Sequence, residues 1–512
     1  MYLFNSCYVQ AMSNQKLFIT TPIYYTNGSP HIGHAYTTIL ASAYSRHFRL
    51  HKHSVNLITG TDEHGQKIQE KAKSLNIQPQ ELVDKYSSEF FQLFNKLLIE
   101  QSNFVRTTSN LHKENVIRRW NQCIANNDIY LSTFSGLYCV GCESFKTPKE
   151  LVNNQCPDHL KEPKQVEEEC YFFRLSKYKQ RLLDFINNNP DFIQPNSRRN
   201  EVLAFIQNED LKDIPVSRTS FTWGIPVPNN PSHVIYVWFD ALVSYLDYKK
   251  DNEEFVHFLA KDILKFHAIY WTCFLFAFNI EPPKKLFVHS YILNKGQKTG
   301  KSLIEAGKQQ PININEVIDK YTSEALRFYL LSSFPTEKDS EFDVSSLIES
   351  YNTNIVNGLG NLHYRCLPFV DENTKCLDLS SLTEEDKVFR DAISDLYKKA
   401  TIQWNNYEHQ QGIHTTLEII KKANKFFDEN KPWKLRKENT DKSQERINTI
   451  ILITLECVAK ASFLLLPVIP TICESILSFL GFTHHKLPDT DSLFTEKVVI
   501  SKPNYPIVTK IG

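Results

Sequence analysis

Two pairs of cationic or ionisable side chains could act on one phosphate chain. His31 and His34 stand three apart in "PHIGH", and Lys298 and Lys301 stand three apart in "GQKTGKS", far along the sequence. Three residues apart on a helix means nearly one face. "NGSP" just before reads as a turn and helix start, with Ser29 as N-cap and Pro30 as first helical residue. Unpaired backbone N–H groups at such a terminus attract anions. Gly33 removes a side chain, so a flat base can approach the backbone. Two imidazoles, a helix N-terminus and two lysines together suit the holding of a triphosphate and the stabilisation of charge on its α-phosphate during in-line attack. The spacing argues against a P-loop. That motif needs four residues between its first glycine and Gly-Lys-Ser, and only three separate Gly296 from Gly300.

A second constellation suits a metal. Cys139 and Cys142, then Cys156 and His159, form two ligand pairs with two residues inside each. Tetrahedral zinc takes this donor set, and four protein ligands leave no open position for a reacting water, so the Zn²⁺ is expected to be structural. Cys170 falls outside the pattern. The chain has 11 cysteines, an odd number, which with this cluster argues for reduced thiols and a cytoplasmic setting rather than a disulfide framework.

The elements that must position these groups follow from pattern. "KLFITTPIYY" (16–25) reads as a strand, a helix follows to about Phe48, and "SVNLITGTDEHG" (54–65) is a second strand. Strand, helix, strand implies a parallel α/β unit. From 129 to 233 the chain turns short, irregular and cysteine-bearing, as an insertion would. "HVIYVWFDALVSYL" and "KKLFVHSYIL" restore the alternation, and beyond about 345 the period is helical throughout. With 512 residues, 41% of them hydrophobic, several packed units are expected. Lys+Arg and Asp+Glu balance at 58 each, so nucleic acid can be met only by a local patch. No segment reads as membrane-spanning: the run 447–470 carries Glu456 and Lys460 and fits a bundle core. The first fifteen residues hold no charge, which suits neither a secretory signal nor a transit peptide, and Met12 offers an alternative start.

"PHIGH" with "KTGKS" resembles the paired HIGH and KMSKS signatures of class I aminoacyl-tRNA synthetases. Thr299 and Gly300 depart from the usual form, and a glycine there loosens the loop. "PIYYTNG", "TGTDEHG", "YVWFDALVSY" and "KDILKFH" further resemble the methionyl-tRNA synthetase family, over about 17–435. The resemblance implies a Rossmann-like catalytic domain with a zinc-bearing insertion and a helical anticodon-binding domain. It implies ATP, L-methionine and tRNA(Met) as substrates and Mg²⁺ travelling with ATP. ATP would meet Gly33, Asp262, Lys301 and Ser302. Ile23, Trp238, Ala241, Leu242, Tyr245 and His267 would line a methionine pocket, with the Tyr245 hydroxyl and the Ile23 N–H facing sulfur. Asp62 would hold the ammonium, and Tyr25 would close the site. Taken alone, Trp238 and Tyr245 have the spacing of a core stripe. Ala260 replaces a usual glycine and would crowd the nucleotide.

Asn361 and Arg365, four apart, and Trp433 after a proline match the family's anticodon-reading positions. Aromatic stacking and guanidinium or amide hydrogen bonds are how single-stranded RNA is read. The expected division is 16–128 and 234–290 for the two halves of the catalytic domain, 129–233 for the insertion, 291–348 for the lysine-loop linker and 349–512 for the anticodon domain. No appended dimerising domain is evident, so a monomer is expected, without a membrane. The alternatives are a synthetase for another apolar amino acid, for which the insertion is too short to edit, and a non-catalytic tRNA-binding paralogue.

Overall fold

The computed structural model describes residues 15–140, 144–146, 151–157, 161–208, 211–294, 297–298, 312–370, 377, 379–482 and 507–512, with backbone alone at 144, 145, 297 and 298. A six-stranded sheet forms its centre. The strands are β1 (Lys16–Tyr25), β2 (Ser54–Asp62), β3 (Asn103–Arg106), β4 (Ile193–Gln194), β5 (Glu254–Ala260) and β6 (Lys285–His289), in the order β3-β2-β1-β5-β6-β4. Every neighbouring pair is parallel, the Rossmann-like arrangement expected from sequence. Both faces are covered, and β1 is almost wholly buried, as its run of β-branched and aromatic residues requires. The direction of sheet growth reverses between β1 and β5, the place where such sheets bind ligands at their carboxyl ends.

Helix α1 (Ile32–Leu50) crosses from β1 to β2. It starts later than "NGSP" suggested: His31, not Ser29, is the N-cap. An imidazole Nδ1 can accept a backbone N–H as a carboxylate or hydroxyl does, and here it does so. Gly60 in β2 is required by the neighbouring strand, because a Cβ there would lie 2.1 Å from the Val105 carbonyl oxygen of β3.

Between β3 and β5 the chain forms helix α2 (Asn110–Ala125), then a long antiparallel hairpin of Ile129–Cys139 against Lys164–Phe173. Helix α3 (Val237–Val243) follows, ahead of β5. After β6 the described residues are mainly helical. Its longest helices are α4 (Glu384–Asn405), α5 (His409–Asn430) and α6 (Asp441–Leu465). Among the described residues, α6 alone is long and apolar enough to cross a membrane, but 94% of its apolar window is buried against its neighbours. Its mid-helix charges are paired: Lys460 lies 3.2 Å from Glu456, which also accepts from Arg390 at 2.9 Å.

One apolar core runs from the α1 side of the sheet into the helical region, so the two are packed together. The other face of the sheet shares a second core with the hairpin, α2 and α3.

Candidate active site

A bulge in β1 opens the site. Thr20 pairs with Ile58, but Ile23 pairs with Gly60, so β1 gains one residue around Thr21 and Pro22. Proline has no N–H to give, and it sits where the ladder breaks. On the other side, β1 pairs with β5 only as far as Thr20 and His257. Beyond that point β1 follows β2 to Tyr25 and Asp62, and a crevice opens toward β5.

The imidazole pair lies at the crevice, on the first turn of α1. His31 Nδ1 accepts from the Gly33 N–H at 3.2 Å, and His34 Nδ1 accepts from the His31 N–H at 3.0 Å. The rings stack at 3.6 Å between centroids. A ring nitrogen that accepts carries no proton, so each neutral ring bears its proton on Nε2. The motif thus caps the helix with one nitrogen of each ring and turns the other into a donor. A Cβ at position 33 would come within 3.1 Å of the His31 ring, so glycine allows the fold-back.

The root of the lysine loop is tied to the same turn. His289, at the end of β6, meets Thr37 Oγ1 at 2.7 Å, and Thr37 also bonds the Gly33 carbonyl at 3.0 Å. Ile292–Asn294 follows and pairs with Gln297–Lys298 as a hairpin, with Leu293 opposite Lys298 in the backbone register. Lys301, Ser302, Thr299 and Gly300 lie outside the described residues. Asp262 is on a 3₁₀ turn at the end of β5, and Ala260 pairs with His289.

Most of the apolar residues expected to line a pocket share the core on one face of the sheet. Ile23, Trp238, Leu242 and Tyr245 belong to one cluster, and Ala241 is buried on α3 beside them. Trp238 stacks on Phe266 at 3.7 Å and nearly parallel, and its buried indole N–H has no hydrogen-bond partner among the described residues. His267 sits in a π-helical turn, Phe266–Trp271, a distortion that often marks a site. Its Nδ1 lies 2.8 Å from the Ile263 carbonyl and must donate to it. Its Nε2 then accepts from the Tyr245 hydroxyl at 2.8 Å. Burial pulls the His267 pKa down to about 4, so the ring is neutral and the direction of the bond is fixed. The Tyr245 proton is therefore held by His267, and the hydroxyl presents a lone pair to its other neighbours.

Asp62 ends β2 beside Tyr25. Tyr25 packs away from the cluster above, with Ile68, Leu82 and Trp223. The next two residues anchor the Asp62 loop. Glu63 is fully buried and accepts from Arg106 Nε at 2.7 Å and Nη2 at 3.1 Å, while His64 reaches Asp240 at 2.7 Å. Sequence reading missed these anchors, together with His289 and Thr37; their partners are too distant in sequence to leave a local signal.

Away from the crevice, Arg365 lies over the Phe427 ring at 4.5 Å and the Trp433 ring at 5.9 Å and pairs with Asp428. Trp433 is 39% exposed, and Asn361 is exposed one turn before Arg365. Of the metal-type residues, Cys139 and Cys156 are buried and in no disulfide. Cys142 and His159 lie outside the described residues. Among the described residues no cluster of three or more metal-type ligands occurs. Two buried reduced thiols fit a thiophilic ion such as zinc.

Comparison with known proteins gives a consistent picture. A family model described as "tRNA synthetases class I (M)" matches residues 17–170 and 146–367. The Nostoc sp. protein named methionine–tRNA ligase is 40% identical over 489 residues, covering 91% of this chain and 90% of that protein. Methionine–tRNA ligase 1 of Bacillus cereus is 37% identical over 506 residues, covering 94% and 76%. The structure of Mycobacterium tuberculosis methionyl-tRNA synthetase in complex with methionyl-adenylate superposes with a TM-score of 0.89 at 31% identity, over 96% of this chain and 99% of that one.

Proposed function

The chain belongs to the methionine branch of the class I tRNA synthetases, and from that premise we propose how its residues carry the reaction. It is a methionine–tRNA ligase: it activates L-methionine with ATP and passes the methionyl group to tRNA. The observation that carries the assignment of roles is the α1 terminus, where two stacked imidazoles hold their ring protons on Nε2 beside the crevice.

The methionine carboxylate attacks the α-phosphate of ATP and pyrophosphate leaves. His31 and His34 donate Nε2–H groups to the phosphates, and Lys298 and Lys301 neutralise charge that grows toward the leaving group. Ser302 and the Gly33 backbone complete the cradle, and Asp262 meets the ribose. Mg²⁺ bound to ATP supplies further charge neutralisation on the phosphates. No side chain acts as a nucleophile; positioning and charge stabilisation do the work. Asp62 takes the methionine ammonium, Tyr25 closes over it, and Ile23, Trp238, Ala241, Leu242, Tyr245 and His267 enclose the thioether. With the Tyr245 proton engaged by His267, the donors for sulfur are the Ile23 N–H and the Trp238 N–H, which has no partner among the described residues.

In the same reading, residues 129–233 form an insertion stapled by zinc on Cys139, Cys142, Cys156 and His159, where it is structural. Residues 349–512 read the anticodon through Asn361, Arg365 and Trp433. The enzyme works as a cytoplasmic monomer. Amino-acid-dependent exchange of pyrophosphate into ATP tests the assignment. Exchange with methionine, and little with leucine, isoleucine or valine, is expected. Binding of tRNA without exchange would mean a non-catalytic relative.

A further inference from the structure

A buried chain of ionisable groups joins the Asp62 loop to the pocket helix, and the reaction as described does not use it. His64 Nδ1 donates to Asp240 Oδ2 at 2.7 Å. His112 Nε2 meets the other oxygen, Asp240 Oδ1, at 2.6 Å, and His112 Nδ1 meets Asp247 Oδ2 at 2.8 Å. Asn115 donates to Asp247 Oδ1 at 2.8 Å, and Arg118 donates to Asn115. His112 and Asp240 are fully buried, and the Asp247 side chain is 1% exposed. Four places in the fold are joined: the loop after β2, α2, α3 and the turn after Ser244–Leu246.

Proton counting sets the charge. Both ring nitrogens of His112 face carboxylate oxygens, and an ionised carboxylate can only accept. His112 therefore carries both ring protons as an imidazolium, held by two charge-assisted bonds. Burial alone would strip that charge, but the bonds to Asp240 and Asp247 outweigh it and push the His112 pKa up to about 10. Burial likewise opposes the charge of Asp240, and His64 and His112 overcome it and hold its pKa down to about 2.

The chain has a mechanical meaning. His64 is two residues beyond Asp62, and Asp240 lies between Trp238 and Ala241 on α3. Both oxygens of Asp240 are engaged, one by each histidine, so a shift of α3 relative to the end of β2 would break a buried charge-assisted bond. We propose that His112 is a positioning residue for methionine: by pinning Asp240, it sets the distance between the ammonium site at Asp62 and the thioether pocket on α3. The pocket then matches the reach of one side chain. This rests on the assignment of Asp62 and α3 to the amino-acid site. His112 touches no substrate, and the ATP cradle on α1 is held by other contacts.

The test uses the full chain and two variants. His112→Gln keeps a side chain of similar reach but no cation, and Asp247→Asn weakens only the far side of the pair. In methionine-dependent exchange, H112Q should raise the KM for methionine about tenfold or more while the KM for ATP stays within about twofold, since contacts worth roughly 1.4 kcal/mol per tenfold act on one substrate only. D247N should give a smaller rise of the same selectivity. In histidine-labelled wild-type protein, ¹⁵N NMR should show an imidazole with both nitrogens protonated at pH 8, missing in H112Q. An unchanged methionine KM in either folded variant, or equal shifts for both substrates, overturns the proposal. Should H112Q not fold, D247N and the wild-type spectrum decide: an unaltered KM, or no doubly protonated ring, overturns it. A wild-type chain without methionine-dependent exchange sinks the functional reading first, whereas an active wild type with indifferent variants sinks this proposal alone.

Discussion

His34 does two jobs with two nitrogens. Nδ1 accepts from the His31 N–H at the α1 terminus, which leaves the ring proton on Nε2, the donor proposed for a phosphate. His34→Ala should lower the exchange rate about 10²-fold, the usual loss on removing one donor to developing charge, with the KM for methionine nearly unchanged. Steady-state exchange kinetics read both. At Tyr245 the prediction concerns a buried bond. Phenylalanine there would leave His267 Nε2 without its donor, costing about 1–3 kcal/mol in denaturant unfolding. A pH dependence follows from the same class of buried rings. Burial lowers the pKa of His267, His289 and His363 to about 4 and that of His409 to about 3. These rings are neutral when folded but protonate near their ordinary value of about 6.5 when unfolded. Their stabilisation is present above that value and is lost as pH falls toward the folded values. Unfolding free energy measured at pH 7, 6 and 5 should therefore fall steadily.

Elements were legible where local pattern decides them. The β-branched and aromatic runs in "KLFITTPIYY" and "SVNLITG" marked β1 and β2, and the helical period marked α1 and the bundle. The start of α1 was misplaced because histidine is a rare cap, and its fold-back depends on Gly33. The β1 bulge, the two-residue edge strand β4 and the π-helical turns at Phe266–Trp271 and Asn352–Gly360 left no periodic trace; packing decides them. The candidate residues stood out as motifs, but the hydrogen bonds that anchor their loops, from Glu63 with Arg106 to His289 with Thr37, did not, since bonds between distant segments have no spacing rule. Gly60 belongs to this scale. Gly60→Ala would drive a methyl into the Val105 carbonyl and separate β2 from β3. A loss of about 3 kcal/mol, the upper range for overpacking, is expected in equilibrium unfolding.

Across the whole molecule, α1 is a strut. Its first turn faces the crevice, and its later turns meet the bundle: Tyr44 bonds His409, and His47 bonds Asn405 at 2.8 Å and stacks on Trp404. At nineteen residues it spans roughly 28 Å. Arg327 is a second tie. It is fully buried and donates to the carbonyls of Leu97 at 3.0 Å, Pro467 at 2.7 Å and Val468 at 2.9 Å. Arg327→Met would leave those carbonyls without their donor and loosen the bundle against the sheet. In the proposed reading a tRNA reaches both ends at once, so aminoacylation should lose about tenfold in kcat/KM for tRNA, near 1.4 kcal/mol, with exchange within about twofold.

Imidazoles from the start of α1 and ammonium groups from the loop after β6 are held to act together on the phosphates of a single ATP. Methionine-dependent pyrophosphate exchange in His34→Ala, Lys301→Ala and the double variant tests this most directly. Each single change should slow exchange steeply, and the double should fall short of the product of the two, as for groups acting as a unit. Either single variant exchanging at the wild-type rate would contradict it.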